Sequence, residues 1–355
     1  MDILSILGKT LTDNAIIGAI FSSIAIIFLG FYLRKKNIIN DSAAKILSKV
    51  VLSVSLPALA LKSFLVDINK KSLHEGINLL IWGFAIYIIL IFITKLFYSR
   101  YKGDKQDALR VLTVFGSTTF FGTPIVQAVY GTVGVMYSSI FNIAYRVFLY
   151  SYGFIKMSGL KMDKENFKKN VKTMFLNPII IATFLGLFIW LFQESLPQVA
   201  VSTKEGVKNY AFLRIDQTLP WLYKPLTYLS ALCSPLAWLS IGANLATIPF
   251  KEAMGSKDSW YYSIQKVIIV PLINIVLLYV LNVTGILPVS YIGLATVVIM
   301  MAAPTATVAA AYAISFDKES VLSSNCSLLS TIVAVVAMPI WIVALEVIKN
   351  IGLFV

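Results

Sequence analysis

Apolar runs long enough to cross a lipid bilayer recur along the whole chain. Ala15 to Leu33, Gly76 to Phe97, Ile179 to Phe192 and Val267 to Val283, with their flanks, are of this kind. As helices they match a hydrocarbon core about 30 Å thick. Of the 355 residues, 58% are hydrophobic and 13% charged, whereas soluble domains carry about 25% charged residues. Lipid is therefore the expected solvent.

In order, the runs give ten candidate spans, at 14–33, 44–65, 76–97, 108–129, 133–157, 173–192, 222–246, 259–283, 291–313 and 320–347. A transmembrane barrel would alternate polar and apolar residues in strands of about ten. These runs are apolar on both parities, so backbone satisfaction in lipid requires helices. The expectation is an all-α integral membrane protein in contact with the bilayer.

The net charge of +13 does not point to nucleic acid, because the Lys and Arg residues cluster in short segments between the apolar runs. The first run is preceded by Asp2, Lys9 and Asp13 and followed at once by Arg34, Lys35 and Lys36. That is the reverse of a secretory signal, so the run is expected to stay as an anchor. Segments after odd-numbered spans hold twenty basic residues, from Arg34 through Lys156–Lys172 to Lys318. The opposite side holds nine, including Lys9, Lys62, Lys70, Lys71 and Lys204. This bias predicts a multi-pass protein of the cell membrane with both termini on the non-cytoplasmic side. Cys233 and Cys326 both fall inside spans, with no spacing that suggests a metal or a disulfide framework. No metal or cofactor is expected.

The dense basic loop Lys156–Lys172 divides the chain into two sets of five spans, 1–160 and 161–355, with a long polar connection at 193–221 in the second set. Five spans per set place the second set upside down relative to the first, as in an inverted-topology repeat. Weak internal echoes fall in register. Asn14 opens the first span and Asn177-Pro178 the sixth; Leu52–Ala58 in the second span, with Pro57, echoes Leu229–Ala237 in the seventh, with Pro235. The fourth span carries Gly116-Ser117-Thr118-Thr119-Phe120-Phe121-Gly122-Thr123-Pro124, and the ninth Met301-Ala302-Ala303-Pro304-Thr305-Ala306-Thr307. Proline removes a donor and clashes with the preceding turn. Gly122 and Pro124, and Ala303 and Pro304, are therefore expected to break these two helices near mid-membrane. Freed backbone at that depth must line protein or an aqueous cavity, and half-helix N-termini there would aim partial positive charge at an anion.

At these residues the chain resembles the auxin efflux carrier family, which includes bacterial malate and malonate permeases and is related to the bile acid and arsenite transporter folds. The likeness covers essentially the whole chain. It is strongest over Gly30–Phe64, Phe115–Gly131 and Ala303–Trp341, the last with Pro304, Asp317, Ser323, Ser324, Ser330 and Pro339. It implies ten helices in two inverted repeats, with the fourth and ninth crossing as broken helices at the substrate site, and it is compatible with a homodimer. Ser117 and Thr119 stand where the family's crossover commonly has asparagine and glycine, a departure that weighs against plant-hormone-like substrates.

Arg146 is the one basic residue near the centre of a span, and no Asp or Glu lies comparably deep. Its partner is then either a substrate carboxylate, which the forked guanidinium suits, or the carbonyls of a broken helix. Asn142 lies one turn away on the same face. Ser117, Thr118, Thr123, Thr305 and Thr307 either bind substrate or satisfy backbone freed by the breaks. Lys62 and Lys266 are expected to snorkel, and His74 to lie at the surface.

The leading expectation is a secondary carrier of a small organic anion, malate-like, working by alternating access. The alternative is a sodium-coupled or passive carrier or channel of another small solute, such as an auxin-like or bile-acid-like lipophilic anion. A membrane-embedded enzyme would need clustered His, Asp, Glu or a metal set, which one loop histidine does not supply.

Overall fold

The computed structural model describes residues 14–159, 172, 175–203, 206–247, 254–352 and 354. Lys9, Lys161, Lys164, Lys168, Lys169, Lys204 and Lys251, counted in the charge bias, and the expected start of the sixth span at residue 173 lie outside the described residues.

The described chain is mainly helical: α1 (Asn14–Lys35), α2 (Asp41–Ser63), α3 (Lys70–Phe97), α4 (Gly103–Val114), α5 (Thr123–Phe148), α6 (Phe154–Ser158), α7 (Pro178–Phe192), α8 (Ile215–Thr218), α9 (Pro220–Leu245), α10 (Lys257–Val283), α11 (Tyr291–Met301), α12 (Thr307–Ser315) and α13 (Ser320–Ile351). Among the described residues, α2, α3, α9, α10 and α13 are long and apolar enough to cross a membrane. The apolar α7 and α11 are shorter.

Starts are set by caps that accept orphan amides. Asn69 forms a capping box with Ser72, and the side chains of Asn40, Asn177, Ser256 and Ser290 accept from Ala43, Ile179, Ser259 and Gly293. The Asn69 box explains why α3 begins at Lys70 rather than at the expected residue 76: its extra turns carry Lys70, Lys71, exposed His74 and Glu75.

Prolines shape the spans by a repeated device. π turns at Val51–Ser55, Thr118–Gly122 and Gln265–Ile269 each end two residues before a proline, Pro57, Pro124 and Pro271. The carbonyl four residues before each proline, on Ser53, Phe120 and Val267, sits inside the wider turn, which relieves the ring clash. The backbone instead closes through Leu56 to Val51, Thr123 to Thr118 and Val270 to Gln265. A fourth π turn, Leu149–Gly153, joins α5 to α6.

The expected boundary between the fourth and fifth spans falls inside α5, at Gly131. Its φ of 60° and ψ of −150° form a kink that only glycine adopts readily.

Every residue of α11 except Ile292 is buried, as expected of a helix apolar on all sides and enclosed by others. The same core holds Leu79, Trp82, Ile86 and Leu90 of α3, Ile140 and Phe141 of α5, and Trp341 and Leu345 of α13. On another flank α1 and α9 approach backbone to backbone. A Cβ on Gly30 would strike the carbonyl of Leu239, and one on Gly242 the carbonyl of Ile27.

The all-α expectation needs one amendment. The polar connection after α7 folds into an antiparallel hairpin, β1 (Gln198–Thr203) with β2 (Gly206–Ala211), in register from Gln198 opposite Ala211. Buried Arg214 clips this connection down, donating to Asp67 at 2.8 Å, to Gln193 at 2.8 Å and to both oxygens of Asp216 at 2.9 Å. Burial disfavours the Arg214 charge, but Asp216 and Asp67 more than offset this and hold it above the usual arginine value.

Candidate functional site

Both broken helices are present, and the two breaks meet. α4 ends at Val114, Phe115 turns extended, and helix resumes at Thr118; α11 ends at Met301, and helix resumes at Thr307. Gly116 and Thr305 pair as an antiparallel bridge, with Ser117 N donating to the Pro304 carbonyl at 2.6 Å and Ala306 N to the Phe115 carbonyl at 3.0 Å. Backbone groups freed by one break are thus satisfied by the other, as their burial demands.

Ala303 and Pro304 lie in the second break, as expected. The first break sits upstream of its expected place: Gly122 closes the π turn, and Pro124 occupies the first turn of α5. The wide turn before the proline takes up its ring clash, so the helix that resumed at Thr118 runs on through it.

The first residues of both resumed helices line one cavity: Ser117, Thr119 and Phe120 from the first, Ala306, Thr307 and Val308 from the second. Ser48, Asn177 and Asn244 also reach it. A second, smaller cavity, walled mainly by apolar side chains such as Leu56, Ile143, Ile180 and Phe184, adjoins it. Arg146, Thr119 and Ile179 line both.

Arg146 is 8% exposed and donates to Thr119 Oγ1 at 3.3 Å. Among the described residues it forms no ion pair. The cavity therefore combines a buried guanidinium with two helix starts, three sources of positive potential converging on one space.

The other expected site residues divide between the cavities and the scaffold. Asn142 and Thr123 line the apolar cavity beside Arg146. Thr118 is buried behind them, donating to Asn142 Oδ1 at 2.7 Å while its carbonyl accepts from Thr123 at 3.4 Å. Ser117 and exposed Thr307 face the larger cavity. Thr305 points away from both, into a buried set with Tyr262 at 2.5 Å and Ser330 at 3.1 Å.

Three contributors escaped the sequence reading. Thr119 bridges the cavities, and Asn177 and Asn244 line the larger one; the sequence marked Thr119 only as a departure from the family's crossover and Asn177 only as a helix start, and gave no signal for Asn244. Lys266 requires a correction. It does not snorkel but is wholly buried, and among the described residues its Nζ has no hydrogen-bond partner. The wide turn at Gln265–Ile269 carries it, and a Cβ on Gly116 would come within 2.8 Å of that Nζ. Distance from a span end did not reveal this, because the crossing lies inside the protein at the same depth.

Carboxylates are also buried, but away from the cavities. Glu75 accepts from Ser290 N at 2.8 Å and Oγ at 2.9 Å at the start of α11. Glu346 accepts from Tyr291 Oη at 2.6 Å and pairs with Lys349.

Comparison with known proteins is consistent with this architecture. The profile of the membrane transport protein family matches residues 15–342. An uncharacterized transporter of Methanothermobacter thermautotrophicus is 24% identical over 332 residues, covering 92% of this chain and 97% of that protein. An uncharacterized transporter of Methanocaldococcus jannaschii is 21% identical over 231 residues, 62% of this chain and 66% of that protein. The chain belongs to the membrane transport protein family, that of the auxin efflux carriers.

Proposed function

We propose that this member of the membrane transport protein family is a secondary carrier of a small organic anion in the cell membrane, moving its substrate by alternating access around the crossing. The observation that carries the reading is the cavity in which Arg146, without an acidic partner among the described residues, faces the starts of both resumed helices. A carboxylate there would gain a forked charge-assisted bond and two favourable helix ends.

In this reading the chain makes ten passes as two inverted sets of five. The charge bias assigns the loops at 36–40, 98–102 and 316–319 to the cytoplasm. The chain works as the bilayer-embedded unit of a homodimer.

Malate-like acids and lipophilic anions remain two readings of the substrate. The larger, more polar cavity with Asn177, Asn244 and Thr307 favours a dicarboxylate. The adjoining apolar cavity with Leu56, Ile143 and Phe184 favours an acid with an apolar body.

The test is thermal unfolding of the purified protein across a panel of dicarboxylates and aryl or long-chain monocarboxylates, followed by liposome uptake of any ligand that stabilises it. Stabilisation by one class, lost in Arg146→Ala while that variant stays folded, is the expected result. Uptake unchanged in Arg146→Ala would remove the arginine from the site and end the anion reading.

A further inference from the structure

Of the buried cations among the described residues, Arg110, Arg146, Arg214 and Lys266, only Lys266 is accounted for by neither cavity nor any ion pair. Its side chain is 0% exposed, and its Nζ has no hydrogen-bond partner among the described residues. Its position is informative: a Cβ on Gly116 would stand 2.8 Å from Nζ, 3.0 Å from Cε and 3.0 Å from the Ala303 carbonyl oxygen. The ammonium therefore lies against the main-chain bridge where the breaks meet.

The crossing is electrically two-sided. The resumed helices start toward the Arg146 cavity. The two half-helices that precede the breaks, α4 ending at Val114 and α11 ending at Met301, both bring their C-terminal ends to the Gly116–Ala303 region. Each such end carries about half a negative charge on its last carbonyls. Some of these carbonyls have partners: Leu112 accepts from Tyr262 Oη at 3.0 Å, and Phe115 and Pro304 accept across the bridge. Hydrogen bonds of this kind satisfy single oxygens but supply no net charge. Two negative ends meeting in a buried place call for a cation, and carbonyl oxygens are the donors that a hard monovalent ion prefers.

We infer that the Lys266 ammonium is the resident cation of the crossing, occupying by covalent attachment the place where a carrier of this architecture would otherwise bind an inorganic monovalent cation, so that the crossing forms and works without sodium. The inference rests on reading the crossing as the transport element and deepens it by naming the charge that holds the crossing closed. Arg146 and Lys266 then have opposite duties: Arg146 offers a charge to the solute, and Lys266 spends its charge on the protein's own carbonyl ends.

The experiment compares thermal unfolding of the full-length purified protein in equimolar sodium, potassium and choline chloride, for the wild type, Lys266→Gln, Lys266→Ala and Lys266→Arg. It needs no identified substrate, so its outcome is separate from that of the Arg146 test. The wild type and Lys266→Arg should unfold at the same temperature in all three salts. Lys266→Gln and Lys266→Ala should unfold earlier in choline and recover by about 2–4 °C or more in sodium or potassium, because a vacated site binds the small cation only in the folded protein.

If neither neutral variant folds in any salt while Lys266→Arg folds in all of them, the requirement for a fixed charge stands. Sodium-specific stabilisation of the wild type would show an inorganic site beside the lysine and overturn the inference. So would a Lys266→Gln variant as stable as the wild type in choline, or a Lys266→Arg variant that folds no better than the neutral ones.

Discussion

At the residue scale, the site is built from one permanent charge and neutral hydroxyl and amide groups. Arg146 is steered by Thr119, whose Oγ1 accepts from it at 3.3 Å. Thr119→Val keeps the shape and removes the acceptor. Losing a hydrogen bond to a charged group should lower uptake efficiency roughly tenfold with little change in unfolding temperature. Initial rates in liposomes across substrate concentrations measure this, and wild-type kinetics would make Thr119 a bystander. Arg146 was legible in the sequence because a lone basic residue at the centre of an apolar run has few explanations. Lys266 was not, because a span end and a crossing in mid-protein look alike along one dimension. Thr305 shows the same limit from the other side: its hydroxyl turns toward Tyr262 and Ser330, on the far side of the bridge from the cavities.

At the element scale, the prolines were readable but the consequence of each was not. Pro304 falls in the gap it was expected to make, whereas Pro57, Pro124 and Pro271 sit just after wide turns that let the helix continue. Where the first helix parts is decided by where Gly116 meets Thr305, a long-range pairing invisible to local pattern. The hairpin at 198–211 was missed in a similar way, its short runs of β-branched residues lost within a stretch read only as polar. Close approach of helices is testable at α1 and α9. Gly242→Ala would drive a Cβ into the Ile27 backbone, which cannot yield as a side chain would. The expected cost is about 1–3 kcal/mol, seen as a lower unfolding temperature in detergent. Gly18→Ala, in the same α1 with nothing within 4 Å of its Cβ, is the control and should be neutral or slightly stabilising. Equal effects of the two would deny the close packing.

At the scale of the whole molecule, the two faces are unlike. On one, Asn244 is exposed and lines the larger cavity. On the other, Tyr130 and Tyr291 bond at 3.2 Å and Tyr291 reaches Glu346, tying α5, α11 and α13 together. Cys233 and Cys326 are both buried, so single reporter cysteines can be placed on a quiet background. An impermeant maleimide added outside cells should label Asp67→Cys, and should label Asn244→Cys only after the membrane is opened; the reverse pattern would invert the assigned orientation. The membrane class and the repeated interruptions could be read from the sequence because lipid imposes simple rules on composition. Which residues meet across the crossing could not, because the halves contact through tertiary packing. One property of that crossing reaches beyond a single protein. Its bridge is made by main-chain atoms, which every amino acid but proline supplies alike. Lineages descended from a common ancestor can therefore exchange Ser117, Thr119 or Thr307 for other side chains while inheriting the same bridge.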